Sequence, residues 1–248
     1  MNSRNVFLYW INKEYKLISI LRKLIYLHSK NNEKYKVHLI TDKNINEYIT
    51  TVPEKFYELP PDNQADFVRV CVICEYGGIW LDSDTLVLDS LDSLFDIIDH
   101  IDGFLVNQNN TSLCNGIFGS RKKTEFMIEW KNQMIKLLDD KEYKIDRLEI
   151  GNVMLINMFK NLPNLFNNYK IFDGLDNIYP VNFTDCVTEY LEKPYENYKN
   201  IIREYQPLIV LVHQVYHKLE EKTETEILNG NMPINYFINK SFKNSITL

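Results

Sequence analysis

Apolar positions in this chain come in blocks that alternate between strand-like and helical spacing. Residues 5–11 (NVFLYWI) are a continuous β-branched and aromatic run, the pattern of a buried strand. Across residues 15–29 the apolar positions are Leu17, Ile18, Leu21, Leu24 and Ile25, with His28 on the same stripe, which is helical spacing. Residues 35–41 (YKVHLIT) return to a strand pattern. The order β-α-β predicts two parallel strands joined by a right-handed crossover. A short helix is expected at residues 44–49. Residues 52–61 (VPEKFYELPP) form a proline-bounded connection with room for a short strand.

Residues 63–88 are the most strongly patterned stretch. From Ala65 to Tyr76 the chain is apolar almost all round, as in a buried helix, and Asp66 and Arg69 are the exceptions. Gly77-Gly78 stops that helix. Ile79-Trp80-Leu81 reads as a buried strand leading to Asp82-Ser83-Asp84, with residues 85–88 extended beyond it. Further on, helices are expected at 91–98, 125–138 and 153–159, the last opened by Ile150-Gly151-Asn152. Strands are expected at 103–108, 169–172, 177–181 and 208–213, and residues 115–120 as a short strand or turn between glycines. The polar C-terminal part, residues 218–248, reads as partly helical and frayed from about residue 230. Without an internal repeat or a boundary signal, residues 1–248 are expected to form one α/β domain.

Composition narrows the classes. In 248 residues, 45% are apolar and 25% charged, ordinary for a globular protein with a real core. A formal net charge of −6 argues against nucleic acid or an anionic membrane as the main partner, since both need a basic footprint. No apolar run reaches the roughly 18–20 residues of a membrane span. The N-terminus lacks a secretory pattern, so a cytoplasmic location is expected. Cys71 and Cys74 make a C-x-x-C, but their neighbours are apolar and no second pair exists, so they read as small buried core residues.

The chemistry concentrates in two pairs. In a strand, alternate side chains share a face, so Asp82 and Asp84 can converge on one cation at the strand's carboxyl end. Hard ions such as Mg²⁺ or Mn²⁺ prefer such oxygens and bridge them to substrate phosphates. Asp66 and Arg69, three apart, share a helical face. They read either as a mutual salt bridge or as the lining of a polar pocket for substrate hydroxyls. His213 and His217 have the spacing of a zinc-protease motif but lack its glutamate, and a zinc site is not expected.

The run ADFVRVCVICEYGGIWLDSD resembles the signature of DXD-containing glycosyltransferases with a GT-A fold. It is most similar to the family of yeast initiating mannosyltransferases and capsular polysaccharide synthesis enzymes, and is also similar to the catalytic domains of clostridial glucosylating toxins. The resemblance implies a single Rossmann-like mixed sheet flanked by helices. It implies transfer of a sugar from a nucleoside diphosphate sugar, a UDP-sugar first among them, to a hydroxyl of a glycan or protein acceptor, with retention of configuration. Asp82 and Asp84 would hold Mn²⁺ or Mg²⁺, joined by His213 at the end of a later strand. Asp66 and Arg69 would contact the donor sugar, with Arg69 also a candidate catalytic cation. Trp10 would stack on the base, Asn32 would lie near the nucleotide, Asn115 would face the sugar, and Tyr216, His217 or Lys218 would close over the diphosphate. Two departures stand out: Phe7 occupies the family's first-strand histidine position, and no tryptophan follows His213.

Three rivals are weighed. A sugar-phosphate nucleotidyltransferase needs a glycine-rich phosphate loop where this chain has Trp10-Ile11-Asn12-Lys13. A two-metal phosphoesterase needs more clustered ligands. A silent nucleotide-sugar-binding module would keep the fold and lack turnover.

Overall fold

A computed structural model describes residues 4–107, 113–142, 144, 149–174, 185, 188–194, 207–211 and 220–247. The chain divides into two compact units, each made of separate stretches of sequence. The first comprises Met1–Asn12, Tyr35–Leu81 and Asp92–Phe172; the second comprises Lys13–Lys34, Asp82–Leu91 and Asp173–Leu248.

The first unit is built on a six-stranded sheet. Its strands are β1 (Asn5–Tyr9), β2 (Lys36–Ile40), β3 (Gly78–Leu81), β5 (Gly103–Asn107), β6 (Leu113–Ser120) and β7 (Tyr169–Asp173), in the spatial order β2-β1-β3-β6-β5-β7. Strand β1 pairs parallel with β2 and with β3, in the register Val6↔Ile79 and Phe7↔Trp80. Strand β6 pairs antiparallel with β3 and β5, so the sheet is mixed. All five residues of β1 are buried, which explains the unbroken apolar run that encodes it.

Helix α3 (Pro61–Tyr76) packs against β1, β3 and β6 and against α5 (Glu125–Asp139). Proline at its first position suits a place where the N–H would go unpaired anyway. Gly77 ends it at φ 68, its N–H bonded to Ile73 O, and Gly78 follows at φ 124. A Cβ on Gly78 would stand 2.3 Å from Asn5 O, so only glycine lets β3 start this close to β1. The double glycine therefore sets both the backbone turn and the parallel pairing that carries the chain to Asp82.

Short helix α2 (Ile45–Tyr48), helix α4 (Asp92–His100) and helix α6 (Met154–Asn161) complete this unit. Two expectations change. The connection over residues 52–61 contains a 3₁₀ turn, Glu54–Glu58, and no strand. Residues 115–120 belong to the eight-residue strand β6, buried throughout. Its glycines read locally as punctuation, but hydrogen bonding on both edges holds it extended.

In the second unit, α1 (Lys16–His28) packs against β4 (Thr85–Val87), α7 (Glu224–Asn229) and α8 (Pro233–Thr247). Strand β4 pairs antiparallel with β8 (Leu208–Val210), in the register Thr85↔Val210 and Val87↔Leu208. Thr223 and Glu226 cap α7 reciprocally, each side chain bonding the other's backbone N–H. The residues expected to fray beyond 230 include helix α8. Helix α8 is anchored by buried Ile234, Phe237, Ile238 and Ser241, an apolar stripe that the many polar residues between them disguise. The strand expected at 177–181 lies outside the described residues. No helix among the described residues is long and apolar enough to cross a membrane.

Candidate functional site

The first unit carries a buried polar cluster on α3. Asp66 and Arg69 are 8% and 4% exposed, so their charges have to be answered from within the protein. Arg69 Nη2 lies 3.3 Å from Asp66 Oδ1. Its Nη1 donates to Asn115 O at 2.5 Å and its Nε to Ala65 O at 3.2 Å. The guanidinium also lies over the Trp80 ring, 5.1 Å from the centroid. Asp66 accepts from Asn115 Nδ2 at 2.7 Å and from Asn63 Nδ2 at 3.4 Å. Of the two readings of this pair, the mutual ion pair is realised, and Asn115 is drawn into it from β6. Burial pushes the Asp66 carboxyl up to about 6, against the opposing pull of Arg69.

A third segment completes the cluster. A π-helical turn, Glu149–Val153, brings Gly151 against Asp66: a Cβ there would stand 2.5 Å from Asp66 Oδ2. Asn152 Oδ1 accepts from the Asn115 backbone N–H at 3.3 Å. Asn63, Gly151 and Asn152 were not singled out as site residues from the sequence. The one local signal for the last two is an isolated glycine opening an apolar helix, which marks close backbone approach.

The second unit carries Asp82 and Asp84. Here the strand argument is corrected. Residues 82–85 form a turn between β3 and β4, closed by the Thr85 N–H donating to Asp82 O at 3.0 Å. The two aspartates thus sit in a turn and do not continue the strand. Both are half-buried, with Ser83 buried between them. Leu211 N–H donates to Asp84 O at 3.2 Å, tying the chain just past β8 to the turn. The Tyr15 hydroxyl is pushed up by burial and by the negative charges of Asp84 and Glu220.

Among the described residues no three His, Cys, Asp or Glu side chains gather as metal ligands. The donor set at the turn nevertheless suits a hard cation: two carboxylates, followed at once by Thr85, whose buried Oγ1 has no hydrogen-bond partner among the described residues. His213 and Lys218 lie outside the described residues.

The remaining sequence candidates fall in different places. Trp10 follows the carboxyl end of β1, half-buried, its N–H donating to Ile40 O. Phe7 is buried and stacks on His38, with ring centroids 4.7 Å apart. Asn32 is exposed in a left-handed turn at φ 70, its N–H bonded to Ser29 Oγ. It precedes β2 in the chain. Cys71, Cys74 and Cys114 are free and buried. Burial pushes the Cys71 thiol up to about 12 and raises Cys74 as well, which suits core residues and not a redox pair.

The mixed sheet, with β2, β1 and β3 parallel and the acidic turn following β3 in the chain, is a GT-A fold. The structure is similar to a glycosyltransferase involved in glycosylating the major capsid of PBCV-1, with a TM-score of 0.50 at 11% identity, over 84% of this chain and 93% of that one. It also aligns with apo glycosyltransferase GlyE of Streptococcus pneumoniae TIGR4, with a TM-score of 0.49 at 14% identity, over 99% of this chain and 64% of that one. Residues 1–229 match the capsular polysaccharide synthesis protein family, and the chain belongs to it. Family and fold together describe a capsular polysaccharide synthesis protein with a fold found in glycosyltransferases. An Arabidopsis thaliana protein, At4g19900, is 36% identical over 87 residues, which is 35% of this chain and 12% of that protein's length.

Proposed function

We propose that this chain is a metal-dependent glycosyltransferase that moves a sugar from a nucleoside diphosphate sugar, with UDP-sugars the first donors to try, to a hydroxyl of a glycan or protein acceptor. The observation that carries this reading is the acidic turn of residues 82–85, entered from the carboxyl end of β3 and tethered at Asp84 by Leu211. Asp82 and Asp84 would hold Mn²⁺ or Mg²⁺, with His213 the candidate third ligand. The bound ion supplies countercharge for the departing diphosphate.

Asp66 and Asn115 would accept and donate hydrogen bonds at the sugar's hydroxyls. Arg69 would contact the donor sugar and act as the candidate catalytic cation, while its bonds to Asp66, Ala65 O and Asn115 O hold the pair in place. Trp10 would stack on the base. Asn32 and Lys218 keep the nucleotide and diphosphate roles that the resemblance implies. Retention by same-face attack, assisted by the leaving phosphate, needs no side-chain base, and none is assigned. Polysaccharide biosynthesis is the setting that the family description suggests.

The test is hydrolysis of a nucleotide-sugar panel with and without Mn²⁺, beside an Asp84→Ala control. Metal-dependent release of one nucleoside diphosphate, lost in the variant, is expected. Silence across the panel together with no metal-dependent nucleotide binding would defeat the reading and leave a nucleotide-sugar-binding module or less.

A further inference from the structure

The C-terminal helix reaches the strand that leaves the acidic turn. Strand β4 begins at Thr85, directly after Asp84, and one edge is held by β8. Just beyond the strand, the Leu88 N–H donates to Pro207 O at 2.7 Å. Helix α8 supplies further bonds through side chains. Ser241 Oγ donates to Val87 O at 2.5 Å, and Asn244 Nδ2 donates to Leu88 O at 2.9 Å.

Ser241 is wholly buried, as is His28 of α1, whose Nε2 stands 3.0 Å from Ser241 Oγ. The hydroxyl has one proton, and it is committed to Val87 O. Its lone pair therefore accepts from His28 Nε2–H, which sets the imidazole tautomer. His28 Nδ1 has no hydrogen-bond partner among the described residues, consistent with a ring kept neutral for this one bond. An imidazole on α1 thus orients a hydroxyl on α8, and that hydroxyl grips the backbone of the strand three residues beyond Asp84.

We propose that Ser241 is a positioning residue for the acidic turn. Through the chain His28 Nε2–H to Ser241 O–H to Val87 O, it holds β4 at the depth from which Asp82 and Asp84 present their carboxylates. This rests on the reading of those aspartates as metal holders. A substitution in α8, 157 residues from Asp84 in sequence by subtraction of their numbers, should therefore act on the metal site.

The experiment compares the wild-type chain with Ser241→Ala, His28→Leu and His28→Gln. Alanine keeps helix propensity, so Ser241→Ala is expected to fold. Glutamine can return an N–H donor close to the position of the imidazole Nε2. Amide hydrogen exchange over residues 82–88 is read in metal-free protein, Mn²⁺ affinity by titration, and kcat and KM by donor hydrolysis. Ser241→Ala and His28→Leu should each speed exchange in that segment and weaken Mn²⁺ binding by about tenfold, the scale of one net buried hydrogen bond. His28→Gln should recover most of both.

Wild-type exchange and Mn²⁺ affinity in Ser241→Ala would overturn the proposal. So would a uniform rise in exchange across α1, α7 and α8, which would mark a purely structural role. Failure of the wild-type chain to bind Mn²⁺ defeats the metal reading itself and the proposal with it, an outcome distinct from the other two. If Ser241→Ala is recovered unfolded, Asn244→Leu applies the same test at the Leu88 carbonyl.

Discussion

Acidification should weaken this protein at His28 before most carboxylates are titrated. The ring is fully buried, and among the described residues its one hydrogen bond goes to Ser241. Burial lowers its pKa from 6.5 to about 4; nearby Asp89 opposes that fall and Lys34 adds to it. The unfolded chain takes up a proton near pH 6.5, and the native chain not until about pH 4. Between those values the unfolded state binds more protons at this position, so the stability that His28 contributes falls as pH falls and is complete above 6.5. At about 1.4 kcal/mol per pH unit, the gap is worth about 3 kcal/mol. For a chain of this size that is a fall in Tm of roughly 6–12 °C. The assay is urea or thermal unfolding of wild type and His28→Gln at matched pH between 7 and 4. The variant has no group titrating in that window at this position, so wild-type stability should fall relative to the variant's by that amount on acidification. Parallel curves would refute the assignment of a buried neutral imidazole.

Three further outcomes are expected. Arg69→Ala leaves the Asp66 carboxylate buried without its cation and should cost about 3–5 kcal/mol in urea unfolding; a loss under 1 kcal/mol would mean that water reaches Asp66. Gly151→Ala forces a methyl group to 2.5 Å from Asp66 Oδ2, costing about 1–3 kcal/mol and raising the donor KM if Asp66 meets the sugar. Unchanged stability and kinetics in that variant would show the π-helical turn to be free to retreat. Native protein at pH 8 should resist iodoacetamide at Cys71 and Cys74 and label readily in urea, checked by peptide mass; fast native labelling would contradict their burial.

Much of the first unit was legible locally. The helix at 61–76 is apolar all round because it is buried, and the double glycine after it is a stop signal wherever it occurs. What followed was harder. Residues 82–85 were readable as acidic and near a strand end, but whether they continue the strand or turn depends on β8, more than 120 residues later by subtraction of positions, pairing with β4. The glycines of β6 looked like punctuation because its two hydrogen-bonded neighbours are not visible in its own sequence.

The spacing of Asp66 and Arg69 established that they share a helical face and left open what they meet there. That was decided by Asn115, 49 residues away, which donates to Asp66 and whose carbonyl accepts from Arg69, and by Gly151, which lies against the carboxylate. Helix α8 makes the same point from the opposite side. Its sequence looks polar and expendable, yet Ser241 and Asn244 are bonded to the backbone at Val87 and Leu88. By itself the sequence determined most of the elements, the acidic motif and the family, because these rest on local spacing and on the burial of apolar stripes. Tertiary structure alone decided which polar groups are paired, because a hydrogen-bond partner is a matter of position in space and leaves no periodic trace along the chain.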